Sequence, residues 1–410
     1  MAEVATHLPD RRRTALGLVL DSAFGGIFWG KFFSGTGVWI HAVVGAIVVF
    51  AATGSALAVG LVSVAQFAPQ LLLTPWSGTW ADRGHAWGQM VSGRLMCALG
   101  SGSLAVWALL VDARDGWAAV WPVLAASIVV GLGLVLGGPA QQSVIPLLVR
   151  PDELRTAMTL NATPMTFARI TGPAIGAFVA SRFGAGEAFA IAASGHAVFG
   201  VVLLTIRIPD GEPRRMDTDY SVRAALQYVR SHRPLFRLLL AVAAVGVGSE
   251  PTITLAPALA RDLGGDAGLV GALTSAFGVG AAVGLVLVTF VGRCCSQPFV
   301  ASCGLGLMAA GMAVSAAIVW VPLAMTGFAL AGLGFTWAMA SLGTLVQLQA
   351  PPVLRGRIMA LWMVGFVGAR PVAAFALGAV ADGSTVHVAV AVMAALLAGA
   401  TVVCRPSKLA

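Results

Sequence analysis

Long apolar runs follow one another from residue 28 to residue 404, separated by short polar stretches. A hydrocarbon core about 30 Å thick needs roughly 20 apolar residues per helix, and twelve runs reach that length. They are Phe28–Ala51, Ala56–Trp76, Met90–Val111, Trp117–Gly138, Met158–Ala180, Ala188–Ile206, Leu238–Ala260, Leu269–Val291, Pro298–Trp320, Pro322–Val346, Ile358–Ala381 and Val386–Cys404. The longest polar gap, Arg207 to Arg237, divides six runs from six. The pattern therefore predicts an all-α membrane protein of 12 transmembrane helices. Its expected parts are an N-terminal six-helix bundle over 1–206, a cytoplasmic linker over 207–237 and a C-terminal six-helix bundle over 238–410. Inside the linker, Val222, Leu226 and Val229 recur at helical spacing with Arg223 and Arg230 among them. That spacing fits a short amphipathic helix on the inner membrane surface; a solvated linker fits it as well.

Composition agrees with the pattern. The 410 residues are 58% hydrophobic and 10% charged, with a mean hydropathy of +0.89. A soluble domain carries about 25% charged residues, so this chain lacks the polar surface to coat a water-soluble globule. The balance of 25 Lys+Arg against 17 Asp+Glu does not imply nucleic acid, because the basic residues lie in short segments between apolar runs. Arginine placement orients the chain instead. With the N-terminus inside, most cations fall in cytoplasmic segments, and only Arg114, Arg182 and Arg261 fall outside. Both termini are thus expected in the cytoplasm. The Arg11-Arg12-Arg13 cluster before Thr14–Leu20 is faintly like a secretory signal, but Asp21 interrupts the apolar run, so a retained start is expected.

The two halves echo each other. Pro151-Asp152-Glu153-Leu154-Arg155 before run 5 matches Pro351-Pro352-Val353-Leu354-Arg355 before run 11, and Arg169 and Arg370 follow at nearly the same offset. Such a parallel repeat of two six-helix halves occurs in secondary transporters. Three stretches carry a closer likeness. One leads from Thr53-Gly54-Ser55-Ala56 to Gly78-Thr79-Trp80-Ala81-Asp82-Arg83. A second runs from Pro151 to Asn161 and on through Arg169-Ile170-Thr171-Gly172-Pro173-Ala174-Ile175-Gly176. The third is Leu354-Arg355-Gly356-Arg357-Ile358-Met359-Ala360-Leu361.

With these stretches the chain resembles the major facilitator superfamily over its whole length, in particular the drug- and siderophore-exporter branch that includes the enterobactin exporter. The resemblance implies two pseudo-symmetric bundles rocking around a midplane site. It implies a gating role for Gly78, Asp82 and Arg83, with Asp82 meeting the start of helix 11. It also implies an antiporter-type helix 5 motif in Arg169, Gly172, Pro173 and Gly176. The chain departs from the pattern at His85-Ala86-Trp87, where further basic residues are usual, and at Gly176-Ala177, where two glycines are usual.

Ionisable groups within spans are costly, about 2.5–3.5 kcal/mol each on insertion scales, and ask for an explanation. Glu250 lies roughly 20 Å along helix 7 from Arg237 at 1.5 Å per residue, and Pro251 follows it. It reads either as a proton-coupling carboxylate or as a buried acid neutralised by a neighbouring arginine. His41, about 15 Å into helix 1, lies at similar depth; it is a candidate to share a proton with Glu250 across the cavity, or else a histidine bonded to a nearby serine or backbone group. Arg169 and Arg370 are architectural or gating residues, or contacts for an anionic substrate. His196 reads as structural. Gln142 at the end of helix 4 and Gln347 at the end of helix 10 are substrate or gate candidates at the inner mouth.

No Walker lysine, metal-ligand spacing or catalytic constellation stands outside the apolar runs. No enzyme activity, cofactor or metal is therefore expected. The expectation is a monomeric transporter of the bacterial cytoplasmic membrane, exporting a small hydrophobic drug, natural product or siderophore in exchange for protons. An importer or facilitator of a small metabolite with the same fold is the alternative.

Overall fold

The computed structural model describes residues 13–80, 85–111, 115–206, 222–317, 320–351 and 354–409. These are helical, with no strand among the described residues. The principal helices are α1 (Phe24–Thr53), α2 (Ala56–Trp80), α3 (Ala86–Leu110), α4 (Trp117–Val144), α5 (Leu154–Arg182), α6 (Ala185–Thr205), α7 (Arg233–Gly248, the first piece of span 7), α8 (Ala267–Cys294), α9 (Gln297–Ala317), α10 (Val321–Gln349), α11 (Arg355–Gly383) and α12 (Val386–Val403). Eleven spans, all but α5, are long and apolar enough by length and composition to cross a membrane. The 29-residue α5 is equally long but carries Arg155, Asn161, Arg169 and several threonines. Most helices run a turn or so beyond the apolar runs, since backbone hydrogen bonding does not stop at the hydrocarbon edge.

Span 7 is broken. Its pieces are Arg233–Gly248, Pro251–Thr254 and Ala256–Asp262. Pro251 has no N–H to donate and its ring excludes the carbonyl four residues earlier. Hydroxyls take up freed acceptors: Ser249 Oγ donates to the Gly246 carbonyl at 2.8 Å, and Thr252 Oγ1 to the Ser249 carbonyl at 2.7 Å. Such repairs let a broken helix persist at membrane depth.

In the first half α1 packs on α5 and α6, α3 on α4 and α6, and α2 on α4. In the second half α8 packs on α10, α9 on α10 and α12, and α7 on α11. The halves meet along two seams, α2 with α11 and α5 with α8. The start of α1 and the short C-terminal helix Pro406–Leu409 mark one face of the bundle, the terminal face; the α1–α2 and α11–α12 turns lie on the opposite, far face. Near the far face the α2–α11 seam is backbone-tight. A Cβ on Gly378 would stand 2.6 Å from Leu57 Cα and 2.7 Å from the Ala56 carbonyl oxygen. Only glycine permits that approach.

Exposed tryptophans band both ends, as expected of side chains at membrane–water interfaces. Trp29, Trp76, Trp80 and Trp87 lie toward the terminal face, and Trp117, Trp121 and Trp320 toward the far face. Val222–Ser231 forms the short helix expected within the linker. It buries Ala225 and Val229 and leaves Leu226 exposed. The proline-rich start of the linker and the side chain of Arg223 lie outside the described residues.

Candidate transport site

At the break in span 7, Glu250 is fully buried and meets Arg370 of α11, whose Nε donates to Glu250 Oε2 at 2.9 Å. Thr254 Oγ1 donates to the other oxygen at 3.1 Å, one helical turn on. Arg370 also lies over the Phe67 ring of α2, 3.9 Å from its centroid. An ion pair internal to the second half is thus capped by the first half at the α2–α11 seam. Of the two sequence alternatives for Glu250, the structure supplies the arginine that the second requires; the pair's position on a seam leaves the first open.

Arg169 sits at the corresponding depth of α5, beside the other seam. Its guanidinium lies 4.5 Å from the Trp39 ring of α1, 4.6 Å from Phe335 of α10 and 5.5 Å from Phe277 of α8. Arg169 and Arg370 therefore hold equivalent mid-helix positions with different neighbours, one among rings and one on a carboxylate. The aromatic wall continues from Phe335 to Phe366, 6.1 Å between centroids, and from Phe366 to Trp362, 5.9 Å. None of these rings was marked by the sequence, because a phenylalanine in an apolar run reads as core. The signal present was Arg169 itself, since a charge at that depth must face something other than lipid.

Around Arg169 the helix 5 motif is packing. A Cβ on Gly172 would lie 2.5 Å from Trp39 Cβ and 3.0 Å from the Thr36 carbonyl oxygen, so glycine sets the closeness of α1 and α5. Gly176 faces Ile40 in the same way, and the Pro173 carbonyl abuts Gly271 of α8.

His41 and Glu250 are not brought together. Both ring nitrogens of His41 are taken, Nδ1 with Ser101 Oγ of α3 and Nε2 with Ser127 Oγ of α4, each at 3.1 Å. Residue counting leaves azimuth open: at about 100° per residue, residue 41 turns into the first half. His196 is likewise inside, with Nδ1 2.8 Å from Ser34 Oγ, which also accepts from Arg94 Nη1 at 2.6 Å. Gln142 is exposed and joins a second polar group, accepting at Oε1 from Asn161 Nδ2 at 3.0 Å. Lys31 Nζ donates to the Asn161 carbonyl and Oδ1 at 2.7 and 2.9 Å. Gln347 is exposed near the terminal face. Gly78 lies in the last turns of α2, while Asp82 and Arg83 lie outside the described residues.

Two polar clusters escaped the sequence reading. At the far face the Asp382 carboxylate of α11 caps the start of α2. It accepts from Ser55 Oγ, from the Ala56 N–H at 2.7 Å and from the Leu57 N–H at 3.2 Å. At the terminal face the buried Glu153 carboxylate accepts from Arg13 Nη2 at 2.7 Å, from the Arg13 N–H at 2.6 Å and from the Arg150 N–H at 3.1 Å. Arg13 also pairs with Asp21 at 2.9 Å and donates to the Leu148 carbonyl. The Arg13 hydrogen bond, opposed by burial and helped by the two backbone N–H groups, holds the Glu153 carboxyl down at about 2.

Comparison with known proteins fits this architecture. The transmembrane secretion effector family matches residues 14–410. Macrolide efflux protein A of Streptococcus pyogenes is 24% identical over 192 residues, 46% of each chain, and that of Enterococcus faecalis is 25% identical over 191 residues, 46% of this chain and 57% of its own. The matched part thus spans about half the length of these curated relatives. Among solved structures, a peptide transporter variant superimposes with a TM-score of 0.75 at 14% identity, covering 98% of this chain and 96% of that one. A D-xylose–proton symporter gives 0.71 at 15% identity, covering 92% and 95%. At such identities these two speak for the fold alone. Two halves meeting at the α2–α11 and α5–α8 seams and a family match over nearly the whole chain lead to one conclusion: the chain is a multi-pass membrane protein and belongs to the transmembrane secretion effector family of the major facilitator superfamily.

Proposed function

We propose that the protein exports a small, largely apolar compound from the bacterial cytoplasm by alternating access, driven by proton entry, and works as a monomer. The observation that carries the reading is the Glu250–Arg370 pair, buried in the second half yet lying on Phe67 of the first. Opening the α2–α11 seam strips Arg370 from that ring. A proton on Glu250 replaces the ion pair by a neutral acid and frees Arg370, so protonation and seam opening act on the same two side chains. The export direction rests on the similarity to the macrolide efflux proteins. A siderophore cargo rests only on the likeness in the sequence motifs.

In this reading the termini are cytoplasmic, the far face is external, and the two bundles are 1–206 and 238–410, joined by the 207–237 linker. The described conformer is then closed outside, with Asp382 latching α11 onto the start of α2. Gly78, Asp82 and Arg83 would serve the cytoplasmic gate in the opposite state. Gln142 and Gln347 stand where the inner mouth opens.

The latch yields a prediction. Asp382→Asn removes the charge that favours a helix N-terminus and weakens charge-assisted bonds worth about 1.5–3 kcal/mol. Since about 1.4 kcal/mol is tenfold in an equilibrium, Asp382→Asn should raise far-face opening several-fold, up to about tenfold. The rate at which an impermeant maleimide labels Ala258→Cys, in the recess beside Asp382, measures it. An unchanged rate removes the latch.

The function itself is tested by flux in proteoliposomes, with a panel of macrolides and other small apolar drugs of neutral, cationic and anionic charge under an imposed proton gradient. Gradient-dependent export by the wild type, lost in Glu250→Gln, is the expected result. Gradient-independent uptake of a polar metabolite would instead favour the importer.

A further inference from the structure

We propose that Arg169 and the rings around it select lipophilic anions, so that the cargo carries a carboxylate, sulfonate, phenolate or similar negative head on an apolar, aromatic body. The inference rests on the transport reading above and gives its site a substrate class.

Arg169 is half-buried, and its guanidinium has no ion pair or hydrogen bond among the described residues. Three rings surround it. Cation–π attraction contributes about 0.5–2 kcal/mol, which falls short of the insertion cost of about 2.5–3.5 kcal/mol or more. The carboxylate at similar depth, Glu250, is already held by Arg370, so the remaining stabilisation must come from water or from an anion arriving in the site. A guanidinium is also the side chain that grips a planar oxyanion with two parallel N–H donors.

Unused donors mark the same wall. Trp39, 8% exposed, carries the ring nearest Arg169, and its Nε1 is buried without a hydrogen-bond partner; so is Nε1 of Trp362, at the other end of the aromatic row through Phe335 and Phe366. Both are donor-only groups. They ask for acceptors, as Arg169 does.

The wider field has the same sign. Away from helix ends, the spans hold four cations, Lys31, Arg94, Arg169 and Arg370, against one carboxylate, Glu250, a net of +3. Lys31 and Arg94 are satisfied by neutral oxygens of Asn161 and Ser34, which leaves their charge uncancelled. A cationic compound of equal size meets repulsion that an anion does not. Leaving an inside-negative cell, the anion would also gain about 2.3 kcal/mol per 100 mV.

The test uses two xanthene dyes of one tricyclic shape and opposite charge, fluorescein at pH 8 and rhodamine 123. Binding to the full-length protein in phosphatidylcholine nanodiscs is read by fluorescence anisotropy, with empty discs subtracted. The wild type should bind fluorescein at least tenfold more tightly than rhodamine 123. Arg169→Gln should bring the ratio near one through loss of fluorescein binding, and Arg169→Lys, which keeps the charge, should retain a clear preference. Equal or tighter binding of rhodamine 123, a ratio unmoved by Arg169→Gln, or binding of neither dye overturns the assignment. The drug-panel flux is scored separately, so export can stand where anion selection falls.

Discussion

Arg370→Ala is expected to destabilise the protein by about 3–5 kcal/mol, the cost of leaving one member of a buried ion pair without its partner. Glu250 is fully buried and keeps only the Thr254 hydroxyl when the guanidinium is gone. The alanine also removes the cation from Phe67, loosening the seam. Glu250→Gln in the same chain takes away the stranded charge, which removes the largest part of that penalty. The double variant should therefore be more stable than Arg370→Ala alone, by at least about 1 kcal/mol of coupling. Thermal unfolding of wild type, both single variants and the double variant in detergent measures this. Losses that simply add would mean that the two side chains do not act as a pair.

The second large effect is at the terminal face. Arg13→Ala should cost about 3 kcal/mol at neutral pH, the lower end of the range for a broken buried pair, because Arg13 retains slight solvent exposure. Its pH dependence has a definite sign. Glu153 is held at about 2 in the folded protein, first by the Arg13 hydrogen bond, against about 4.3 unfolded. A depressed carboxylate contributes stability that is present above the unfolded value and lost as pH falls through the folded one. Wild-type stability should thus fall between about pH 4.3 and pH 2, while in Arg13→Ala the Glu153 part of that loss shrinks. The gap between the two proteins narrows on acidification. Unfolding midpoints from pH 7 to pH 3 read it out, and a gap of constant size would contradict the clamp.

The contrast between these sites shows what a sequence can carry. Apolar run length is a local quantity, so the spans could be read directly, and span 7 is interrupted where Pro251 follows Glu250. Even α5, the least apolar span, was found by the length of its run despite Arg169. The mid-helix equivalence of Arg169 and Arg370 was legible as a repeat, but their partners were not, since the repeat preserves position and not surroundings. Asp382 and Ser55 are separated by 327 residues and Arg13 and Glu153 by 140. Contacts of that separation arise only when the halves and the terminal segment are packed. For His41 the structure supplies the serine partners that the second alternative required. Which alternative holds depends on helix rotation, which an evenly apolar run such as Phe24–Thr53 does not encode.

The most direct test of the central claim reads the proton rather than the cargo. Proteoliposomes loaded with a pH-sensitive dye are given a gradient of a transported drug and no initial pH gradient. Drug moving down its gradient should drive protons the opposite way in the wild type, giving a pH change in the lumen that is absent in Glu250→Gln. Drug movement with no pH change in the wild type, or an undiminished pH change in Glu250→Gln, would contradict the account.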